Sequence, residues 1–216
     1  VPKNFEFFLK NKKINKISRK SKYLIFHLNS NSFLIIHLGM TGTIHLISKK
    51  NCRNTNVSFY GSSNLPTKHN HILIFLKKYQ FIYNDPRRFG FIKILKNKKN
   101  LAFFFNNVGP EPLNRKFKIS YIFNYLKGKK KCIKSFLLDQ KFVSGIGNIY
   151  ASEILNYSKI NPFKEAKKLS KIDIKKIKYF SNFVLNKAIK KGGSSIKNFK
   201  NIKGKSGNYQ NEFKVY

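Results

Sequence analysis

The stretch "YNDPRRFGF", Tyr83 to Phe91, places two arginines and a phenylalanine in a turn between apolar segments. Turns usually carry small polar residues. Asp85-Pro86 fixes this one and Gly90 releases the chain. Arg87 and Arg88 can bind phosphate or fill the hole left by a displaced base, and Phe89 can stack or wedge. An arginine pair could instead bridge acidic neighbours, but the chain holds only 8 acids. "IIHLGMTG" (35–42) is a second candidate. Met40, the only methionine, stands where a strand runs out into a glycine-flanked loop. A flexible apolar side chain there can wedge between bases, although methionine is also ordinary core filler. His37 suits either a satisfied strand end or a phosphate contact.

"SGIGNIYASE" (144–153) leads two glycines, Gly145 and Gly147, into a helix near Asn148. Glycine lets backbone approach a ligand, and free N–H groups at a helix start favour an anion. A plain helix hairpin with a flexible joint would read the same way. "KGKKKCIK" (127–134), which includes Lys129, adds lysines to that neighbourhood and tips the balance toward phosphate. In "RKSKYLIF" (19–26), Lys22 opens a strand after a basic run. A lysine held among cations loses its proton more easily and becomes a better nucleophile or proton shuttle.

The elements that must position these residues fall into two halves. The segments 22–28, 32–40, 43–48, 71–77, 80–84 and 91–96 are short, apolar or alternating, and rich in Ile, Phe and Tyr. Strands at this spacing predict a β-sandwich or barrel. Residues 48–67 are polar, hold Gly and Pro, and predict a loop. Beyond "NNVGPEPLN" (106–114) the period changes. Helices are predicted at 120–128, 133–140, 148–160 and 171–191, the last with Ile174, Ile177, Val184, Leu185 and Ala188 on one face. The C-terminal residues suggest a short strand. The domains are therefore expected at 1–108 and 109–216.

Composition bounds the partners. The chain has 216 residues, with 45 Lys and Arg against 8 acids and a net charge of +37. Such a chain attracts polyanions, nucleic acid first and an anionic membrane second. AT-rich codon usage would also raise lysine without any functional demand. Cys52 and Cys132 lie far apart without metal-ligand neighbours, which argues against a disulfide framework or a zinc site within the chain. No apolar run approaches the roughly 18 residues of a membrane span, and the N-terminal residues have no apolar signal core.

Taken in order, "SKYLIFHL", "LIIHLGMTG", "KHNHILIF", "YNDPRRFG", "VGPEPLN", "IKSFLLDQKFVSGIGNIYASEIL" and "GGSSIKNFKNIKGKSGNYQNEFKVY" resemble the formamidopyrimidine-DNA glycosylase family. The resemblance implies an α+β fold: an N-terminal β-sandwich followed by a helical domain with a helix–two-turn–helix. It implies a kinked, damaged duplex as partner, with the target nucleotide flipped out because a stacked base is unreachable. Met40, Arg87 and Phe89 match the residues that fill the void. Gly145, Gly147 and Asn148 match the phosphate-binding turn, and Lys22 matches a catalytic-site lysine. His37, His69 and Lys129 stand where the family touches DNA. Residues 205–213 look like the lesion-capping loop, and Asn70 stands where an acid is more usual.

The family's N-terminal Pro-Glu, whose amine attacks the sugar, is not matched by "VPKNF", so no nucleophile is carried over. The expectation is a fragment that binds DNA but lacks the nucleophile. No cofactor is expected within the chain, and one zinc in the intact protein through a C-terminal finger. The resemblance further implies excision of oxidised purines with β,δ-elimination, a monomer, no membrane, and a cytoplasmic site of action with an organelle left open. A non-catalytic nucleic-acid-binding paralogue and an oxidised-pyrimidine relative remain as alternatives.

Overall fold

A computed structural model describes residues 4–48, 54–58, 67–194 and 207–215. They divide into two compact units, one running to Ala102 together with Ser194 and Gly207, and one spanning Phe103–Gly193 with the residues from Asn208 onward. In the first, a short helix α1 (Phe5–Leu9) precedes eight strands: β1 (Ile14–Lys20), β2 (Tyr23–Leu28), β3 (Phe33–His37), β4 (Thr43–Ser48), β5 (Asn54–Ser58), β6 (Asn70–Phe75), β7 (Tyr79–Asn84) and β8 (Phe91–Leu95). They form two antiparallel sheets, ordered β1-β2-β3-β8 and β5-β4-β7-β6. Phe26, Leu34 and Ile36 of one sheet meet Ile44, Ile72, Phe81 and Tyr83 of the other in one core, with Phe5 of α1. Phe26 and Phe81 cross edge to face at 6.1 Å between centroids. The fold is the expected sandwich, with residues from both inner faces closing a single apolar layer.

Topology decides where the loops lie. The chain passes from the first sheet to the second at residues 38–42, between β3 and β4. It returns at residues 85–90, between β7 and β8. Because β3 pairs with β8 and β4 pairs with β7, the two crossings must run side by side. No local feature of either segment announces this; it follows from the pairing.

The second unit is helical: α2 (Lys98–Phe104) leads into it, followed by α3 (Ile119–Leu126), α4 (Ile133–Leu138), α5 (Asn148–Ser158) and α6 (Lys171–Lys190). Ser170 caps α6: its hydroxyl accepts from the Asp173 amide at 3.1 Å, and the Asp173 carboxylate accepts from the Ser170 amide at 3.0 Å. This reciprocal pairing satisfies two orphan donors. Ile174, Ile177, Val184 and Ala188 are buried on the predicted face, with Leu185 half-buried beside them.

Three expectations need correction. The polar segment 48–67 is not all loop: β5 forms within it, held by pairing with β4 rather than by its own propensity. The C-terminal strand is not formed. Tyr209–Glu212 is a short 3-10 helix instead, and the backbone N–H groups of Lys214 and Val215 donate to the buried Glu153 carboxylate at 3.0–3.1 Å. The third concerns the cause of the Lys22 pKa shift, described below.

Candidate nucleic-acid interface

Both sheet crossings carry candidate residues, and the structure brings them into contact. Arg87 Nη1 donates to Met40 Sδ at 3.7 Å, and its guanidinium lies 4.5 Å from the centre of the Phe89 ring. Met40 and Phe89 stay 55% and 54% exposed. A cation flanked by a thioether and a phenyl ring therefore stands on the surface as one cluster. Isolated exposed apolar residues need no explanation, but two held against a guanidinium form a shaped, amphipathic tip.

A residue that the sequence marked only as half of an Asp-Pro turn holds this tip. Asp85 is fully buried. Its carboxylate accepts from the Thr41 hydroxyl at 2.6 Å, the Tyr83 hydroxyl at 3.2 Å and the Gly90 amide at 2.8 Å. Burial opposes ionisation of Asp85, but these bonds and one from the Arg87 amide outweigh it, so its pKa lies below the usual value. Burial and the Asp85 charge push the Tyr83 phenol far up, keeping it protonated and donating.

Lys22 and His37 form a second grouping at the same end of the first sheet. Tyr23 pairs with His37 across β2 and β3, and His37 pairs with Phe91 across β3 and β8. The His37 ring stacks on Phe91 at 5.5 Å and lies 5.0 Å from Tyr23. The Gly39 amide donates to His37 Nδ1 at 3.1 Å, which leaves the proton of the neutral ring on Nε2. Burial and then the Lys22 charge lower the His37 pKa. Lys22 is exposed as a residue, but atoms crowding its ammonium strip part of the hydration there, and that lowers its pKa. The cause is desolvation rather than the basic run that the sequence suggested.

His69 is exposed, with φ of 68°, and its carbonyl accepts from the Asp85 amide at 3.1 Å. It borders a cleft with Thr41, Thr43, Lys68, Asn84 and Pro86, and so lies beside the Met40 crossing. The unusual Asn70 has a clear partner: its side-chain oxygen accepts from Asn84 Nδ2 at 2.8 Å.

In the helical unit, α4, a nine-residue turn and α5 form the predicted helix–turns–helix. Gly145 has φ of 94°, a left-handed conformation that favours glycine. Gln140, unmarked by the sequence, braces the turn. Its Oε1 accepts from the Gly145 amide at 2.8 Å, and its Nε2 donates to the Leu138 and Ile146 carbonyls at 3.0 and 3.1 Å. Gly147 precedes the first turn of α5, and Asn148 is exposed at its start. Lys129 is exposed after α3, with its ammonium 5.1 Å from the centre of the Tyr125 ring. Of the expected capping loop, Lys205 and Ser206 lie outside the described residues. Tyr209 is buried in the helical core, and Glu212 is tied to Lys187 at 2.7 Å and Lys191 at 3.4 Å.

Among the described residues, no three His, Cys, Asp or Glu side chains gather into a metal-holding group. No helix among them is long and apolar enough to cross a membrane.

Two histidines held neutral, His45 buried and His37 half-buried, give a pH prediction. His45 is buried, with Nε2 2.9 Å from the Thr43 hydroxyl, and burial lowers its pKa, as it does for His37. Below the ordinary histidine pKa of about 6.5 the unfolded chain then binds more protons than the folded one. Stability is expected to be full above that pH and to fall as pH drops from about 6.5 toward the lowered folded values. Urea midpoints measured across this range check it; a midpoint that rose on acidification would contradict the burial of neutral rings.

Among the described residues, an eight-stranded sandwich bearing an exposed cationic tip, followed by a helical unit with a glycine-cornered turn before α5, defines an α+β protein with a helix–two-turn–helix. The model for the formamidopyrimidine-DNA glycosylase N-terminal domain matches residues 1–92, and that for the H2TH domain of the same glycosylase matches residues 108–200. A formamidopyrimidine-DNA glycosylase of Wolbachia pipientis subsp. Culex pipiens (strain wPip) is 37% identical over the whole chain, which spans 75% of that relative. Among solved structures, a complex between the Lactococcus lactis Fpg and DNA containing an abasic site aligns with a TM-score of 0.83 at 35% identity. It covers 98% of this chain and 74% of that one. MutM in complex with DNA containing carbocyclic 8-oxo-G aligns at 0.82 and 36%, with the same coverage. The chain belongs to the formamidopyrimidine-DNA glycosylase family, whose members are DNA-repair glycosylases.

Proposed function

We propose that this chain forms the lesion-opening part of a base-excision-repair glycosylase acting on oxidised purines in duplex DNA. The observation that carries the reading is the contact of Met40, Arg87 and Phe89 in one exposed tip. Such a tip suits the space that a flipped nucleotide vacates, with Phe89 and Met40 replacing stacking and Arg87 replacing hydrogen bonds. Gly145, Gly147 and Asn148 suit a backbone phosphate. His37, His69 and Lys129 supply further polar or cationic contacts. The relatives support the same partner: one solved neighbour holds DNA with an abasic site and another holds DNA with carbocyclic 8-oxo-G.

We assign Lys22 to the chemistry. Its partly desolvated ammonium gives up a proton more readily than a surface lysine and can serve the elimination that nicks the strand. No nucleophile is assigned, so this chain would supply duplex binding, opening and the proton transfer at Lys22. The protein would act as a monomer in the compartment that holds the chromosome.

Equilibrium binding to duplexes carrying a tetrahydrofuran abasic-site analogue, against undamaged duplexes of the same sequence, tests this. Tighter binding to the abasic duplex is expected. Arg87→Ala should lose about tenfold, on the order of 1.4 kcal/mol, on the abasic duplex alone. Equal affinity for both duplexes would favour a non-catalytic nucleic-acid-binding paralogue. Competition by oxidised-thymine duplexes above oxidised-guanine ones would move the reading to pyrimidine lesions.

A further inference from the structure

Thr41 and Asp85 take no part in the DNA contacts proposed above, yet they join the two loops that carry the wedge. We propose that Asp85 and Thr41 act as a latch, positioning residues that hold the Met40 turn and the Arg87–Phe89 loop together as one unit during duplex opening.

Four observations carry this. First, the bond from the Thr41 hydroxyl to Asp85 Oδ1, at 2.6 Å, joins positions 44 apart in sequence and so spans both sheet crossings. Second, Thr41 Oγ1 also accepts from the Arg87 amide at 3.3 Å. A relay therefore runs from the Arg87 backbone through Thr41 to the carboxylate. Third, Asp85 Oδ2 is used separately, by Tyr83 and Gly90, so the two oxygens divide the task. Fourth, the backbones beneath the latch nearly touch. A Cβ built on Gly39 would lie 2.6 Å from the Gly90 nitrogen.

A local turn function explains only part of this. An aspartate that merely shaped its own turn would need the Arg87 and Gly90 amides and nothing more. It would leave the Thr41 hydroxyl, on the other loop, without a role. A buried carboxylate retains its charge only where donors converge on it, and here the shortest of them comes from the partner loop. The wedge needs both loops because Met40 belongs to one and Arg87 and Phe89 to the other. Inserted into a duplex, a tip whose halves could part would lose the preorganisation that makes insertion favourable.

The inference rests on the wedge reading, and its test separates the two. Wild-type chain and the variants Asp85→Asn, Thr41→Val and Thr41→Ser would be mixed with a duplex holding the tetrahydrofuran analogue and 2-aminopurine beside it. The fluorescence of that base reports unstacking. The wild-type chain is expected to give a fluorescence rise. Asp85→Asn and Thr41→Val should lose most of it and bind the abasic duplex at least about tenfold more weakly. Binding to intact duplex should be unchanged, and Thr41→Ser, which restores the hydroxyl, should recover the signal. If Asp85→Asn fails to fold, the Thr41→Val and Thr41→Ser pair decides alone. Variants that behave as wild type, equal losses on both duplexes, or a serine no better than valine would overturn the latch. A wild-type chain without the fluorescence rise would overturn the wedge and the latch with it.

Discussion

Phe142→Ala is expected to destabilise the helical unit by about 3–5 kcal/mol. Phe142 belongs to the turn between α4 and α5 rather than to a helix, yet it is fully buried. Its ring is stacked on Tyr121 at 6.0 Å and approaches Tyr125 at 4.8 Å, Phe117 at 5.9 Å and Phe136 at 6.2 Å. The Tyr121 hydroxyl donates to the Phe142 carbonyl at 2.7 Å, so the backbone is fixed along with the ring. Truncation would open a cavity walled by four large rings that cannot easily collapse, which puts the loss toward the top of the range for such changes. That is a large share of the roughly 5–15 kcal/mol by which a domain is stable. Urea unfolding followed by helical circular dichroism would measure it. Phe103→Ala, at a largely exposed ring, serves as the comparison and should change little. A loss below about 1 kcal/mol for Phe142 would show that the turn is not anchored through this ring.

Phe142 also marks what the sequence hides. "KFVSGIG" has no helical or strand period, so nothing flags its aromatic as core. Periodicity found the segments that bury one face by their own pattern: the apolar runs of β2, β3 and β7, and the Ile174–Ala188 stripe of α6. It missed β1, whose "INKISRK" has apolar residues only at Ile14 and Ile17, out of strand period, and leaves most positions exposed. It also missed β5, whose "NTNVS" becomes a strand only because β4 offers it a ladder. Short α1 has too few residues for a period to show. The site divides in the same way. Arg87, Phe89 and Met40 stand out because their types are wrong for a free turn. Thr41, Asp85 and Gln140 are ordinary turn residues, and their roles arise from partners that chain topology brings to them. Asp85 was visible as half of an Asp-Pro turn; its bond to Thr41 was not, since register between strands sets it.

Gly39→Val should disable the tip in a way no surface change could. Gly39 has φ of +61°, where a β-branched residue is a genuine outlier. That conformation alone costs about 1–3 kcal/mol. A Cβ there would meet three backbone atoms of the facing loop: the Gly90 nitrogen and the Phe89 carbonyl carbon at 2.6 Å, and the Phe89 oxygen at 2.8 Å. Backbone cannot swing aside as a side-chain end can, so the crossings must part, adding a further roughly 1–3 kcal/mol of overpacking. Parting them pulls Thr41 from Asp85 and Met40 from Arg87. It also disturbs the Gly39 amide that fixes the His37 tautomer. The expected result is a lower urea midpoint for the sandwich and loss of the preference for abasic over undamaged duplex. Phe142→Ala, by contrast, should weaken binding to both duplexes together, because it acts on the turn proposed to hold phosphate and leaves the Met40–Arg87–Phe89 tip intact. A Gly39→Val chain that kept its midpoint and its preference would mean the two crossings do not touch, and the pairing of β3 with β8 and of β4 with β7 would need another explanation for the tip.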